Sequence, residues 1–246
     1  MILDAAFESD QVQDVVATGL TFALSLAWLR LVDTLAGRGL IESHASRKII
    51  HIGTGPLFVL SWLLFSQAST ARFLAALVPL AITAQFAAVG LGWIQDEKAV
   101  KAMTRRGDRR EILRGPLTYG LIFVVCTIVF WRTTPVGIVT LMILCGGDGL
   151  ADLVGRRFGR RRFPHNPAKS WVGSGAMFLG GYLLAVAMVA VFQGTGIFQP
   201  AVAMDAAAVA IAWIAMGSAL VESLPVADLD NLTISATAVL LALLLL

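Results

Sequence analysis

Eight long apolar runs, separated by links that hold nearly all the charge, decide what this chain can become. They cover roughly Val15–Val32, Ile49–Phe65, Phe73–Ile94, Pro116–Trp131, Val136–Val154, Trp171–Phe192, Ala201–Val221 and Leu232–Leu246. A helix needs about 20 apolar residues to cross a bilayer core. The pattern therefore predicts an all-α, polytopic integral membrane protein with about eight (seven to eight) transmembrane helices, residues 1–246 forming one membrane domain. Composition agrees: the chain is 57% hydrophobic and 14% charged, where soluble domains carry roughly 25% charge. Mean hydropathy is +0.79. The second and last runs are short, and the last, ending in "LLALLLL", needs tilt or a thin bilayer to span.

The basic residues set the orientation. All of the 19 Lys and Arg except Arg72 and Arg132 fall in three alternate links: Arg30–Lys48, Gln95–Gly115 and the link after Val154. Under the positive-inside rule these links face the cytoplasm, as does the link around Glu222, and the N-terminus lies outside. The expected location is a bacterial inner (plasma) membrane or its equivalent, with the polar clusters on the cytoplasmic side. Trp93, Trp131 and Trp171 stand at span ends, as an interfacial belt requires. The link Gln95–Gly115 is the longest polar segment and predicts an amphipathic surface helix. The acidic start "MILDAAFESDQVQD" predicts no cleaved signal peptide. A net charge of +3 is read here as topology and contact with anionic membrane lipids, not nucleic acid. Cys126 and Cys145 lie within apolar runs and are read as small packing residues.

Four polar clusters interrupt this pattern. Asp148 and Asp152, in "GGDGLAD", lie four residues apart near the end of the fifth span. On a helix they share one face. A charge at membrane depth costs about 2.5–3.5 kcal/mol, so such a pair marks a site. Two carboxylates this close favour a cation between them, and hard oxygen ligands suit Mg²⁺, which also shares its shell with substrate phosphates.

Next comes "GRRFGRRRFPHNPAKSW", with Arg156, Arg157, Arg160, Asn166, Lys169 and Ser170. A lysine and a serine where a span begins make a seat for phosphate, because free backbone N–H groups and the helix dipole add to the side chains. The arginines fit lipid headgroups and topology as well as they fit a substrate. No P-loop sequence is present. In "SRKIIHIGTG", Arg47 and Lys48 each share a helix face with His51, which can serve as a base or a phosphate donor. In "ESLPVADLDNLTIS", Glu222, Asp228, Asp230 and Asn231 occupy the one cytoplasmic link without a cation. They suggest a second metal site or hydrogen bonds to a ribose or base, and Asn231 also fits an N-cap.

Taken together, "RKIIHIGTG", "GDGLADLVGRRFG…KSWVGS" and "ESLPVADLDNLT" resemble the phytol kinases, which belong with dolichol kinases, CTP-dependent diacylglycerol kinases and, more distantly, phosphatidate cytidylyltransferases. The resemblance covers most of the chain, in the family's order. It implies a membrane-embedded kinase moving the γ-phosphate of CTP to an isoprenoid alcohol such as phytol or geranylgeraniol. It also implies that Asp148 and Asp152 hold Mg²⁺, that Lys169 and Ser170 bind phosphate, and that Glu222, Asp228, Asp230 and Asn231 complete the pocket. Asp152, Asp230 and His51 are the candidate bases. Dolichol kinases and cytidylyltransferases carry a glutamate two positions beyond their Ser or Thr. Here that position is Val172, which favours the phytol type over cytidylyl transfer. A diacylglycerol kinase, a CDP-lipid-forming cytidylyltransferase and a lipid transporter stand as alternatives; the one-sided acids and the lack of an inverted repeat disfavour transport.

Overall fold

The computed structural model describes residues 7–104, 107–226 and 229–246. Among them every regular element is helical: α1 (Asp10–Gly37), α2 (Ser43–Ser61), α3 (Ala71–Leu91), α4 (Glu97–Met103), α5 (Gly115–Val129), α6 (Pro135–Met142), α7 (Gly149–Phe158), α8 (Trp171–Gly194), α9 (Met204–Glu222) and α10 (Asp230–Leu245). Each of the eight expected spans is a helix. Among the described residues six helical stretches are long and apolar enough to cross a membrane: Asp10–Gly37, Ala71–Leu91, Arg109–Val129, Pro135–Phe158, Trp171–Gly194 and Met204–Glu222. The protein is a polytopic α-helical membrane protein. The two expected spans outside that set are α2, whose start carries Arg47 and Lys48, and the 16-residue α10.

The helices group into two compact units, Met1–Arg47 with Leu57–Ile128, and Lys48–Pro56 with Val129–Leu246. In the first, α1 packs on α3. Asp14, buried on α1, accepts hydrogen bonds from Ser66 N (2.7 Å) and Ser66 Oγ (3.0 Å), and Gln13 Nε2 donates to Leu64 O (3.0 Å). These bonds satisfy backbone and side-chain groups where a helix ends inside protein. Gly120 on α5 faces Thr83 on α3 so closely that a side chain there would strike its hydroxyl. Lipid supplies no hydrophobic drive between helices, so small residues of this kind set the packing.

The link Gln95–Gly115 differs from the expected amphipathic helix. Among its described residues the regular elements are the seven-residue α4 and a 3₁₀ turn, Arg109–Leu113. Asp96 caps α4 by accepting from Ala99 N, and Asp108 caps the turn by accepting from Arg110 N. α4 stops at Thr104, whose backbone is extended (φ −102°, ψ 158°). Arg105 and Arg106 lie outside the described residues.

In the second unit α6, a π-helical turn (Ile143–Asp148) and α7 form one span, with α8 packed along all three. Residues 135–147 are all buried. Gly146 and Gly180 meet nearly backbone to backbone, which lets α8 close on the π-turn. Gly55 on α2 leaves room for the Cys145 side chain, so this cysteine packs as expected, and both cysteines are buried.

Candidate active site

The π-turn ends on Asp148. Inserting a residue into a helical ladder re-aims the side chains that follow, and such turns gather at functional sites. Asp148 is left with 14% of its side chain exposed, facing α2. Lys48 of α2 reaches it: Nζ lies 2.9 Å from Asp148 Oδ2 and 4.0 Å from Asp152 Oδ2. The two carboxylates thus converge on one point, as their spacing predicted, and a side-chain ammonium stands there. His51, one turn on, places Nε2 3.4 Å from Asp148 Oδ2 and 3.2 Å from Leu144 O. Both neighbours are acceptors, so a proton on Nε2 would let His51 donate to either one. Arg156 Nε donates to Asp152 Oδ1 at 2.8 Å.

A second cluster forms around Lys169. Its Nζ pairs with Glu222 Oε1 at the end of α9 and lies 3.1 Å from Asp230 Oδ2 at the start of α10. Ser174 Oγ donates to Glu222 Oε2 at 3.4 Å. Burial alone would lower the Lys169 pKa, but the Glu222 and Asp230 carboxylates outweigh it, with a smaller contribution from Asp148, and hold it above the ordinary lysine value.

The remaining expected residues divide. Ser170 is the N-cap of α8 and accepts from Gly173 N at 3.1 Å, which fits the expected helix start. Asn166 is buried and bonds to protein backbone instead of facing an open phosphate seat. Arg157 lies against the Phe158 ring, 5.5 Å from its centroid, and Arg160 is exposed. Arg47 is half-buried and belongs to the first unit. Asn231 sits inside the first turn of α10, whose N-cap position is Leu229, so the capping option for Asn231 does not hold. Asp228 lies outside the described residues. Sequence reading missed His165, Ser174 and Ser223. Only Ser174, one helical turn beyond Ser170, was findable from spacing.

Four carboxylates (Asp148, Asp152, Glu222, Asp230) here face three cations (Lys48, Lys169, Arg156). That charge balance would favour a polyanion accompanied by a divalent cation over a bare one. Among the described residues no three His, Cys, Asp or Glu side chains form a metal cage. Two converging carboxylates without a closed cage fit Mg²⁺, which typically takes one or two carboxylates and completes its shell with water and phosphate oxygens.

Comparison with known proteins gives one consistent answer. A probable chloroplastic phytol kinase of Triticum aestivum is 42% identical over 235 residues, 95% of this chain and 78% of the relative. Phytol kinase 1 of Arabidopsis thaliana is 35% identical over 244 residues, 98% of this chain and 80% of the relative. The chloroplastic farnesol kinase of the same plant is 39% identical over 240 residues, 97% and 77% of the two chains. No family profile matches the chain, and no solved structure does.

Proposed function

The chain belongs to the phytol kinase family, and on that premise we propose that it transfers the γ-phosphate of a nucleoside triphosphate to the hydroxyl of an isoprenoid alcohol. The observation that carries this reading is the convergence of Asp148 and Asp152 on one cation position at the end of a buried span, beside Lys169. A water-soluble polyanion and a lipid-soluble alcohol can meet only where polar, charged groups border the apolar core.

In the proposed reaction Lys48, Lys169 and Arg156 receive the phosphates. Asp148 and Asp152 would hold Mg²⁺, which would supply charge neutralisation for the phosphates. The alcohol enters from the bilayer with its chain in lipid. Its oxygen bonds to the γ-phosphorus as the bond to the β-phosphate oxygen breaks, and the nucleoside diphosphate leaves. The candidate acceptors of the hydroxyl proton are Asp152, Asp230 and His51. Transfer of this kind depends on positioning and electrostatics more than on covalent help.

CTP is the proposed donor, on the resemblance to CTP-dependent lipid kinases. Phytol or geranylgeraniol is the proposed acceptor, supported by relatives named for phytol and farnesol. We place the site on the side of the membrane that holds the basic links, the cytoplasmic face of a bacterial inner membrane or its equivalent; the relatives above are chloroplastic. The test is incubation of the purified chain in detergent with CTP labelled at the α- or γ-phosphorus. A kinase moves only the γ-label into lipid and releases CDP. Movement of the α-label into lipid would replace this reading with cytidylyl transfer.

A further inference from the structure

Gly159–Ser170, between α7 and α8, is a closed loop. Phe163 N donates to Lys169 O and Trp171 N to Arg161 O, both at 3.2 Å. Asn166 N donates to Phe163 O (3.3 Å), and Lys169 N donates back to Asn166 O (3.0 Å), so Asn166 turns the tip. The Phe163 ring lies 4.3 Å from Trp171, centroid to centroid, and closes the base.

The Asn166 side chain leaves the loop and grips another element. It is 8% exposed. Its amide nitrogen donates to Ser223 O and to Leu224 O, each at 3.1 Å, and its Oδ1 accepts from Ala168 N at 3.2 Å. Both amide hydrogens and the carbonyl are therefore engaged. His165 Nε2 meets the same Ser223 O at 3.1 Å. Ser223 and Leu224 directly follow Glu222, the last residue of α9. Lys169, three residues beyond Asn166, is the cation that pairs with Glu222. Two strands of backbone are thus locked together on either side of the Lys169–Glu222 contact.

We propose that Asn166 is a positioning residue for phosphoryl transfer: its amide clasps the end of α9 to the α7–α8 loop and so sets Lys169 against Glu222 and Asp230. A lysine has a long, rotamer-rich stem and finds one geometry only if its backbone is fixed. At this length only asparagine offers two donors to two carbonyls and one acceptor in return. Aspartate would turn a carboxylate oxygen toward two carbonyl oxygens. The proposal rests on the kinase reading for the task that Lys169 performs, binding of the donor's phosphates.

The experiment is steady-state kinetics of Asn166→Asp and Asn166→Leu in the full chain, from about pH 8 down to about pH 5.5, across which a carboxyl raised by such surroundings regains its proton. In Asn166→Asp, kcat/KM for the nucleotide is expected to fall by about tenfold or more at the alkaline end. The KM for the alcohol stays near the wild-type value. The deficit shrinks as pH falls, because the neutral acid again donates to one carbonyl, while the Asn166→Leu deficit does not change with pH. A deficit in Asn166→Asp that ignores pH, an equal loss for alcohol and nucleotide, or no loss overturns the proposal. Amide hydrogen exchange of Asn166→Ser supplies a second reading that needs no turnover. Faster exchange at Lys169 and Trp171 supports the clasp, and unchanged exchange overturns it. A wild-type chain that phosphorylates no prenyl alcohol defeats the kinase reading alone, and the exchange result still decides the clasp.

Discussion

Lys48 and Asp148, 100 residues apart in the chain, meet at 2.9 Å between Nζ and Oδ2, and Asp152 Oδ2 lies 4.0 Å from the same ammonium. The contact brings the start of α2 to the end of the π-turn. It makes Lys48 the partner of the two carboxylates as well as a candidate for phosphate.

The first prediction concerns that pair. Lys48→Met leaves Asp148 without its nearest cation in a poorly solvated place, and breaking a buried pair from one side costs about 3–5 kcal/mol. Thermal unfolding in detergent should show a clear drop for Lys48→Met and a smaller one for Lys48→Arg. Equal stability of all three would show that the pair carries no such load.

Asp148→Asn keeps size and shape but removes the charge that faces Lys48 and His51. The protein should insert and purify while kcat falls by about a hundredfold or more, the scale expected when a preorganised electrostatic partner is lost. Wild-type turnover would remove Asp148 from the site.

The raised pKa of Lys169 fixes a pH dependence. A cation whose folded value is raised stabilises fully below its unfolded value, near 10.4 for lysine, and loses that contribution as pH rises through the folded value. The stability difference between wild type and Lys169→Met should therefore stay constant from about pH 7 to about pH 10 and narrow only above that. A difference that fades near pH 8 would contradict the pairing with Glu222 and Asp230.

Glycine positions give a test of packing. A side chain at Gly159 would strike the Gly155 carbonyl and the Ser170 hydroxyl, whereas at Gly175 it would meet nothing. Gly159→Ala should cost about 1–3 kcal/mol, the usual range for overpacking. Gly175→Ala should cost nothing measurable, and unfolding midpoints of the two variants check the contrast.

The sequence made the spans legible because lipid demands long apolar helices, and the basic links stood out against them. The aspartate pair was legible from helical spacing alone: Asp148 and Asp152 do turn to one point. The π-turn was not, since Gly146 and Gly147 allow a close approach of α8 without announcing a change of helical pitch. Asn166 was read with Lys169 and Ser170 as part of a phosphate seat because all three lie just before a span begins. Its true partners, Ser223 O and Leu224 O, lie 57 and 58 residues away. Lys48 was read as sharing a helix face with His51, and the fold alone brings it to Asp148. Local spacing shows which side chains share a face, and tertiary closure decides what that face meets.

The most direct measurement is the mass of the lipid product formed from phytol carrying heavy oxygen in its hydroxyl, with unlabelled CTP, by the purified wild-type chain and by Asp148→Asn. Attack of the alcohol oxygen on the γ-phosphorus predicts a prenyl monophosphate that retains the heavy oxygen, formed by wild type and nearly absent from the variant. A product that has lost the label, or equal product from both proteins, would contradict phosphoryl transfer at the Asp148 centre.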